Sequence, residues 1–322
     1  MRLRGQIVRR AALMLIALSV LSAAPLLRAQ DLVDNALAWL PPGTIALEYS
    51  RLSALRGLPQ YSSLRTHYLG RNLRILEQSL SKLGIQESDI DEMVLGWQSL
   101  SQKKWMRYEG LASGRFDAAQ LDRSATASGL KAQKVDGHNA YCIPSDPNST
   151  CVVVLSDSLG IFAPMPMLEV MLKARDDPPA SPANPELERI AQSARSSAPI
   201  WGVALGGGVS NWFKAWMPGE KNLQMDWAAA FKDVRALSYT VQARDEVHLN
   251  IKLDCDSTRA ASSVRQLLEG LKLVQQLAWH TENPSQPNPF QDIEVASADR
   301  QVSFRLTADY TALESVGPLG KP

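Results

Sequence analysis

The chain of 322 residues carries little with which to do chemistry: three cysteines and four histidines, His67, His138, His248 and His280. It has no Gly-x-Ser-x-Gly elbow, no Cys-x-x-Cys and no His-x-x-x-His, so the local signatures of a hydrolase nucleophile and of a zinc site are missing. A P-loop fails as well, because Gly206-Gly207-Gly208 runs into Val209-Ser210-Asn211-Trp212 where Gly-Lys-Ser/Thr is needed. Charges of both signs alternate along the chain without a basic block, and nucleic acid, which demands a concentrated positive field, is not expected as a partner. Past the first thirty residues no apolar run approaches the roughly 20 residues of a spanning helix.

What is present starts at the N-terminus. Arg2, Arg4, Arg9 and Arg10 precede an apolar run over 11–24, and Leu27-Arg28-Ala29 ends in a small residue suited to signal peptidase. Residues 1–29 are predicted to be a signal peptide, with the mature chain starting at Gln30; a cut after Ala24 would leave Pro25 just past the scissile bond. No cysteine follows the apolar run, so a lipoprotein anchor has no attachment point. The expected location is the periplasm or the exterior; an uncleaved leader would instead tether the same body to the outer face of a membrane. Of the 34 basic residues, five lie in the leader, which holds none of the 33 acids, so the mature net charge is −4.

An oxidising compartment gives two of the cysteines a role. Cys142 and Cys151 flank the turn-rich stretch 143–150, and strand-like residues on either side predict a disulfide across a hairpin. Cys255 is left over and reads as a small buried hydrophobe.

Hydrophobic periodicity gives an α+β fold. Strands are predicted over 44–50, 93–98, 104–116, 134–143, 151–155 and 159–163, with helices over 69–83, from Asp117 to Gly129, and over 165–174. The first helix follows from Leu69, Leu73, Leu76, Leu80 and Leu83, whose steps of four and three make one apolar stripe. The stretch 176–185 holds four prolines and reads as an extended linker, and Asn184-Pro185 with Glu186 and Glu188 reads as a capped helix start. Further on, strands are predicted over 200–205, 236–243 and 247–253, and helices over 225–234 and 256–278. A hairpin over 292–309 turns at Asp299-Arg300, and a brief helix follows from Tyr310. Val247, Leu249, Ile251 and Leu253 alternate with His248, Asn250 and Lys252, as in a strand with one buried face. Both stretches give strand, helix, strand, strand, helix, hairpin and short helix. The reading is two similar halves, 30–175 and 186–316, each a mainly antiparallel sheet with helices packed on one face, then a disordered tail over 317–322.

The leader, Leu40-Pro41-Pro42-Gly43-Thr44-Ile45-Ala46-Leu47, Gly114-Arg115-Phe116-Asp117 and Ala198-Pro199-Ile200-Trp201 give the chain a loose resemblance to exported bacterial families of unknown function. That resemblance covers little of the chain and implies an extracytoplasmic α+β protein without an assigned activity.

His138 and Cys142 share a strand face but lie about 13 Å apart at 3.3 Å per residue, too far to pair, and His248 and Cys255 fall on opposite faces. Glu87, Asp89, Asp91 and Glu92 lack the glycine and the later glutamate of a calcium loop, and neither a metal nor a cofactor is expected. The aromatic segment Trp212, Phe213, Trp216 and Met217 follows the triglycine turn directly. It reads as an inward helix face, or as a contact surface for an envelope protein, peptide, glycan or lipid. The functional expectation is a non-enzymatic exported binding or interaction module; the alternatives are a hydrolase with scattered site residues and a carrier of lipid or other apolar ligands.

Overall fold

The structure, a computed structural model, describes residues 24–68, 71–98, 107–143, 149–179, 181–216, 225–283, 285–286 and 288–315. Twelve strands make one sheet: β1 (Thr44–Ser50), β2 (Ile90–Gln98), β3 (Arg107–Gly114), β4 (Gln133–Val135), β5 (His138–Cys142), β6 (Thr150–Ser156), β7 (Leu159–Pro164), β8 (Ile200–Leu205), β9 (Val234–Ala243), β10 (Val247–Cys255), β11 (Ile293–Ala298) and β12 (Gln301–Ala308). Their order is β11-β12-β10-β9-β8-β1-β2-β3-β7-β6-β5-β4. Every pairing is antiparallel. The two sheets expected from the sequence are therefore continuous, joined where β1 pairs with β8 through Leu47↔Val203 and Tyr49↔Trp201.

The principal helices are α1 (Ala24–Trp39), α2 (Tyr61–Tyr68), α3 (Arg71–Lys82), α4 (Ala118–Ala127), α5 (Met165–Asp176), α6 (Pro185–Ala194), α7 (Gly207–Trp216), α8 (Thr258–Glu282) and α9 (Tyr310–Ser315). They lie on both faces of the sheet rather than one. On the first face, α1 carries a buried stripe of Leu32, Val33, Ala36, Leu37 and, just past its end, Leu40. Together with α5 and α6 it covers Leu47, Tyr49, Val94, Leu111, Ile161, Trp201 and Val203. The second face is covered along its whole length. Leu76 and Leu83, from α3 and the turn after it, and Leu121 and Ala125 of α4 pack on Leu95, Ala112, Val152 and Phe162. Val209 and Phe213 of α7 and Ala261, Val264 and Leu268 of α8 pack on Leu237, Tyr239, Ile251 and Val302.

Several local expectations meet their physical reasons here. Asp117 caps α4 by accepting from the Gln120 amide at 2.9 Å, and Gly129 follows in the left-handed region at φ +72°. Where one strand was expected over 134–143, β4 and β5 form a hairpin. Its turn is Asp136-Gly137, both residues at positive φ, 47° and 79°, the pairing that two-residue hairpin turns require. The stretch 69–83 holds α3, with α2 before it; residues 69–70 lie outside the described ones. Asn184 makes no side-chain cap for α6. It ties α6 to the start of β1 instead, with Oδ1 accepting from the Gly43 amide at 3.2 Å and Nδ2 donating to the Pro41 carbonyl at 3.1 Å. The helix α1 runs straight through the expected peptidase site at Ala29-Gln30.

Candidate functional site

Opposed residues of an antiparallel pair share one face, so a row across the sheet shows how far the first face is covered. One row runs Val94, Tyr49, Trp201, Thr240, Asn250, Arg305 and Glu294. Val94, Tyr49 and Trp201 are buried beneath helices; Arg305 and Glu294 are exposed. Among the described residues the last helix on this side, α6, packs on β8, β1 and β9. Beyond it the face of β9, β10, β12 and β11 carries Gln242, His248, Asn250, Lys252, Arg305 and Thr307 toward solvent, with apolar alternates such as Leu237, Ile251 and Val302 turned under α7 and α8. This is the arrangement of an antiparallel sheet wetted on one side. At one end of this face lies a groove of about 690 Å³, lined by residues including Gln242, His248, Asn250, Lys272, Glu294 and Arg305. His248 Nδ1 meets Thr307 Oγ1 at 3.1 Å, and Arg305 pairs with Glu294 at 3.7 Å. The groove thus offers donors and acceptors of both signs, held on rigid strands.

Three acids sit in the middle of the sheet. Glu109 is fully buried, and burial pushes its carboxyl up to about 7 against the opposing hydrogen bonds of Thr44 and Gln98. Thr44 Oγ1 lies 2.9 Å from Glu109 Oε1 and 2.8 Å from the Pro41 carbonyl. One hydroxyl hydrogen cannot serve both acceptors, so the contacts are satisfied when the Glu109 carboxyl keeps its proton and donates to Thr44. Glu92, 7% exposed, accepts from Tyr49 Oη at 3.0 Å, and burial raises its carboxyl too. Glu48, on the other face, accepts from Tyr239 Oη; burial raises it as well. The Tyr239 ring lies over Gly202, where an added Cβ would stand 2.6 Å from it. The three carboxyls have separate partners, and their contacts tie β1 to β3, β2 and β9.

The residues singled out from the sequence are dispersed. Cys142 and Cys151 stand directly opposite each other on β5 and β6 and are bonded, which removes Cys142 as a nucleophile. Cys255 is buried and free, its thiol pushed up to about 11 chiefly by burial. His138 Nε2 meets Arg175 Nη1 at 3.1 Å. Of the acids near 90, Glu87 accepts from Arg56 and Tyr61 at 2.9 and 2.6 Å, Asp91 pairs with the same Arg56 at 3.4 Å, and Asp89 accepts from the Gln86 backbone amide at 2.8 Å. Among the described residues no group of three or more His, Cys, Asp or Glu could hold a metal ion. The triglycine is a tight turn at Gly206 (φ +47°), and α7 begins at Gly207. Phe213 is buried and stacks on Phe231 at 4.2 Å. Trp212 is half-buried against Tyr239 at 5.1 Å. Trp216 is the last residue of α7, and Met217 lies outside the described residues. The polar alternation of His248, Asn250 and Lys252 was visible in the sequence; the parts played by Arg305 and Glu109 carried no sequence signal.

No family model matches the chain, and no curated protein does. Among solved structures it is similar to two crystal forms of TP0453. Crystal form I has 11% identity and a TM-score of 0.47, and crystal form IV 13% and 0.49; both comparisons cover 87% of this chain and 95% of that one. Among the described residues no helix is long and apolar enough to cross a membrane.

Proposed function

We propose that this is an exported, extracytoplasmic binding module whose contact surface is the bare polar face of β9, β10, β12 and β11. The single observation that carries the reading is the row from Thr240 through Asn250 to Arg305 and Glu294, uncovered beside a groove of about 690 Å³. Export is supported by the leader and by the Cys142–Cys151 bond. The strand order supports a duplicated unit: outward from the β1–β8 seam the chain runs β1-β2-β3-β7-β6 on one side and β8-β9-β10-β12-β11 on the other. In each half the third strand leads into a helix, and the closing strand returns to pair with that third strand. On this reading the halves are 30–175 and 186–316. Trp212 and Phe213, on α7, pack on the other face of the sheet against Tyr239 and Phe231, so the contact surface proposed here does not include them.

The test is a photo-reactive side chain at Asn250 or Arg305 in the exported chain, with Arg123 on the opposite, helical side as control. Adducts at the two sheet positions and none at Arg123 are expected. Equal labelling at all three, or none at the sheet positions, overturns the reading. Cell fractionation with N-terminal sequencing tests export: the mature protein is expected outside the cytoplasm, beginning at Gln30.

A further inference from the structure

Beside the groove, and sharing Gln242 with it, is a smaller cleft of about 140 Å³. It lies between the halves, where the chain leaves β1 and where β8 begins and β9 ends. Its polar lining is Arg51, Arg244, Gln242 and Ser197; the remaining walls are apolar, Leu55 and Leu58 among them, and no acid lines it. Elsewhere among the described residues arginines face carboxylates, as Arg56 faces Glu87 and Arg305 faces Glu294. Among the described residues, neither Arg51 nor Arg244 makes an ion pair. Arg51 is held by its Nη2, which donates to the Ser197 carbonyl at 3.2 Å, and by its backbone amide on the Pro199 carbonyl at 2.7 Å. Its Nε is buried without a hydrogen-bond partner among the described residues. Glu92 feels the field of Arg51 but its carboxylate is bonded to Tyr49. Arg244 is fixed at its backbone, its carbonyl accepting from Tyr310 Oη at 2.7 Å, while its side chain is exposed.

Two guanidinium groups without acids, an amide and a hydroxyl beside aliphatic walls make a receptor for a planar anion carrying a small apolar group. Guanidinium forks match carboxylates in plane and spacing. At roughly 30 Å³ per water, the cleft has room for about four or five waters, or for a carboxylate with a few carbons. We infer that this cleft binds a carboxylate bearing a short aliphatic group, held between Arg51 and Arg244. Two sources share that chemistry: a free branched-chain acid, and the C-terminal residue of a peptide. A peptide would continue past Gln242 onto the open face; that extension rests on the binding reading above, whereas occupancy of the cleft does not.

The experiment is calorimetric or NMR titration of the full chain with isovalerate and N-acetyl-leucine, against isovaleramide, N-acetyl-leucinamide and inorganic phosphate. Saturable binding of the acids is expected, with the amides and phosphate at least about tenfold weaker, the scale of a lost charge-assisted hydrogen bond. Tighter binding of N-acetyl-leucine assigns the peptide terminus, and tighter binding of isovalerate assigns the free acid. Arg244→Gln, which changes an exposed side chain and leaves the fold intact, should weaken the acids about tenfold, and Arg51→Gln should do the same; Arg123→Gln should not. The inference is overturned if the acids fail to bind saturably, if amides or phosphate bind as tightly, or if both arginine variants bind as the wild type does. The labelling test at Asn250 and Arg305 reads the open face independently, so a failed cleft and a failed binding face give different results.

Discussion

Replacing Glu109 by glutamine should lessen the stability this protein loses in alkali. In the folded chain burial lifts the Glu109 carboxyl from the ordinary 4.5 to about 7; in the unfolded chain the ordinary value returns. The folded state therefore holds this proton to higher pH than the unfolded state does. Its contribution to stability is complete below 4.5 and is lost as pH rises through 7, the opposite of a salt-bridged acid. The difference between the two values corresponds to about 3 kcal/mol. Glutamine keeps the shape and supplies a fixed N–H to Thr44 Oγ1, with nothing to ionise. Between pH 4 and pH 8 the stability gap should shift toward Glu109→Gln by about 3 kcal/mol. Glu48 and Glu92 are raised in the same direction but are present in both proteins and cancel. The assay is urea unfolding of each protein across that range with the disulfide intact. Parallel pH profiles would refute the burial argument, and a gap moving in the wild type's favour would show that Glu109 ionises with a partner.

Three further expectations follow from packing and covalent links. Reducing the Cys142–Cys151 bond, which closes a loop at a sequence separation of 9, should cost about 2–3 kcal/mol on the loop-entropy scale, read as the shift in urea midpoint with reductant. Phe213→Ala should destabilise by about 3–5 kcal/mol, since the ring is 2% exposed and stacked on Phe231; a change under 1 kcal/mol would return Phe213 to the surface. Cys255, fully buried with its thiol held up at about 11, should resist a thiol-reactive disulfide in the native protein and react fully in denaturant.

Where periodicity alone determines an element, the sequence reads well. The strand over 44–50 and the alternation from Val247 to Leu253 needed only local pattern, and both are strands; the second has its expected buried face, whereas the first is buried on both faces. The split into β4 and β5 was lost because Asp136-Gly137 lies among polar residues, where no break in apolar alternation marks the turn. Helices on both faces could not be read, because α5 and α6 are amphipathic in either position and their docking depends on where α1 and the β1–β8 join fall. The same holds for the candidate surface. His248, Asn250 and Lys252 are plainly polar alternates, but their bareness is decided by how far α6 reaches. A single buried glutamate such as Glu109 carries no pattern at all; its partners are Thr44 and Gln98, far apart in sequence.

The seam between β1 and β8 has a consequence for how the molecule comes apart. Five opposed residue pairs zip the strands together, Asn184 clasps the chain at Pro41 and Gly43, and α9 rests on α2. A protease that cuts the exposed prolines near 178–182 severs the covalent path but none of these attachments. The nicked chain should travel as one particle through gel filtration and separate into two pieces only in denaturant, the behaviour of fragments that complement one another.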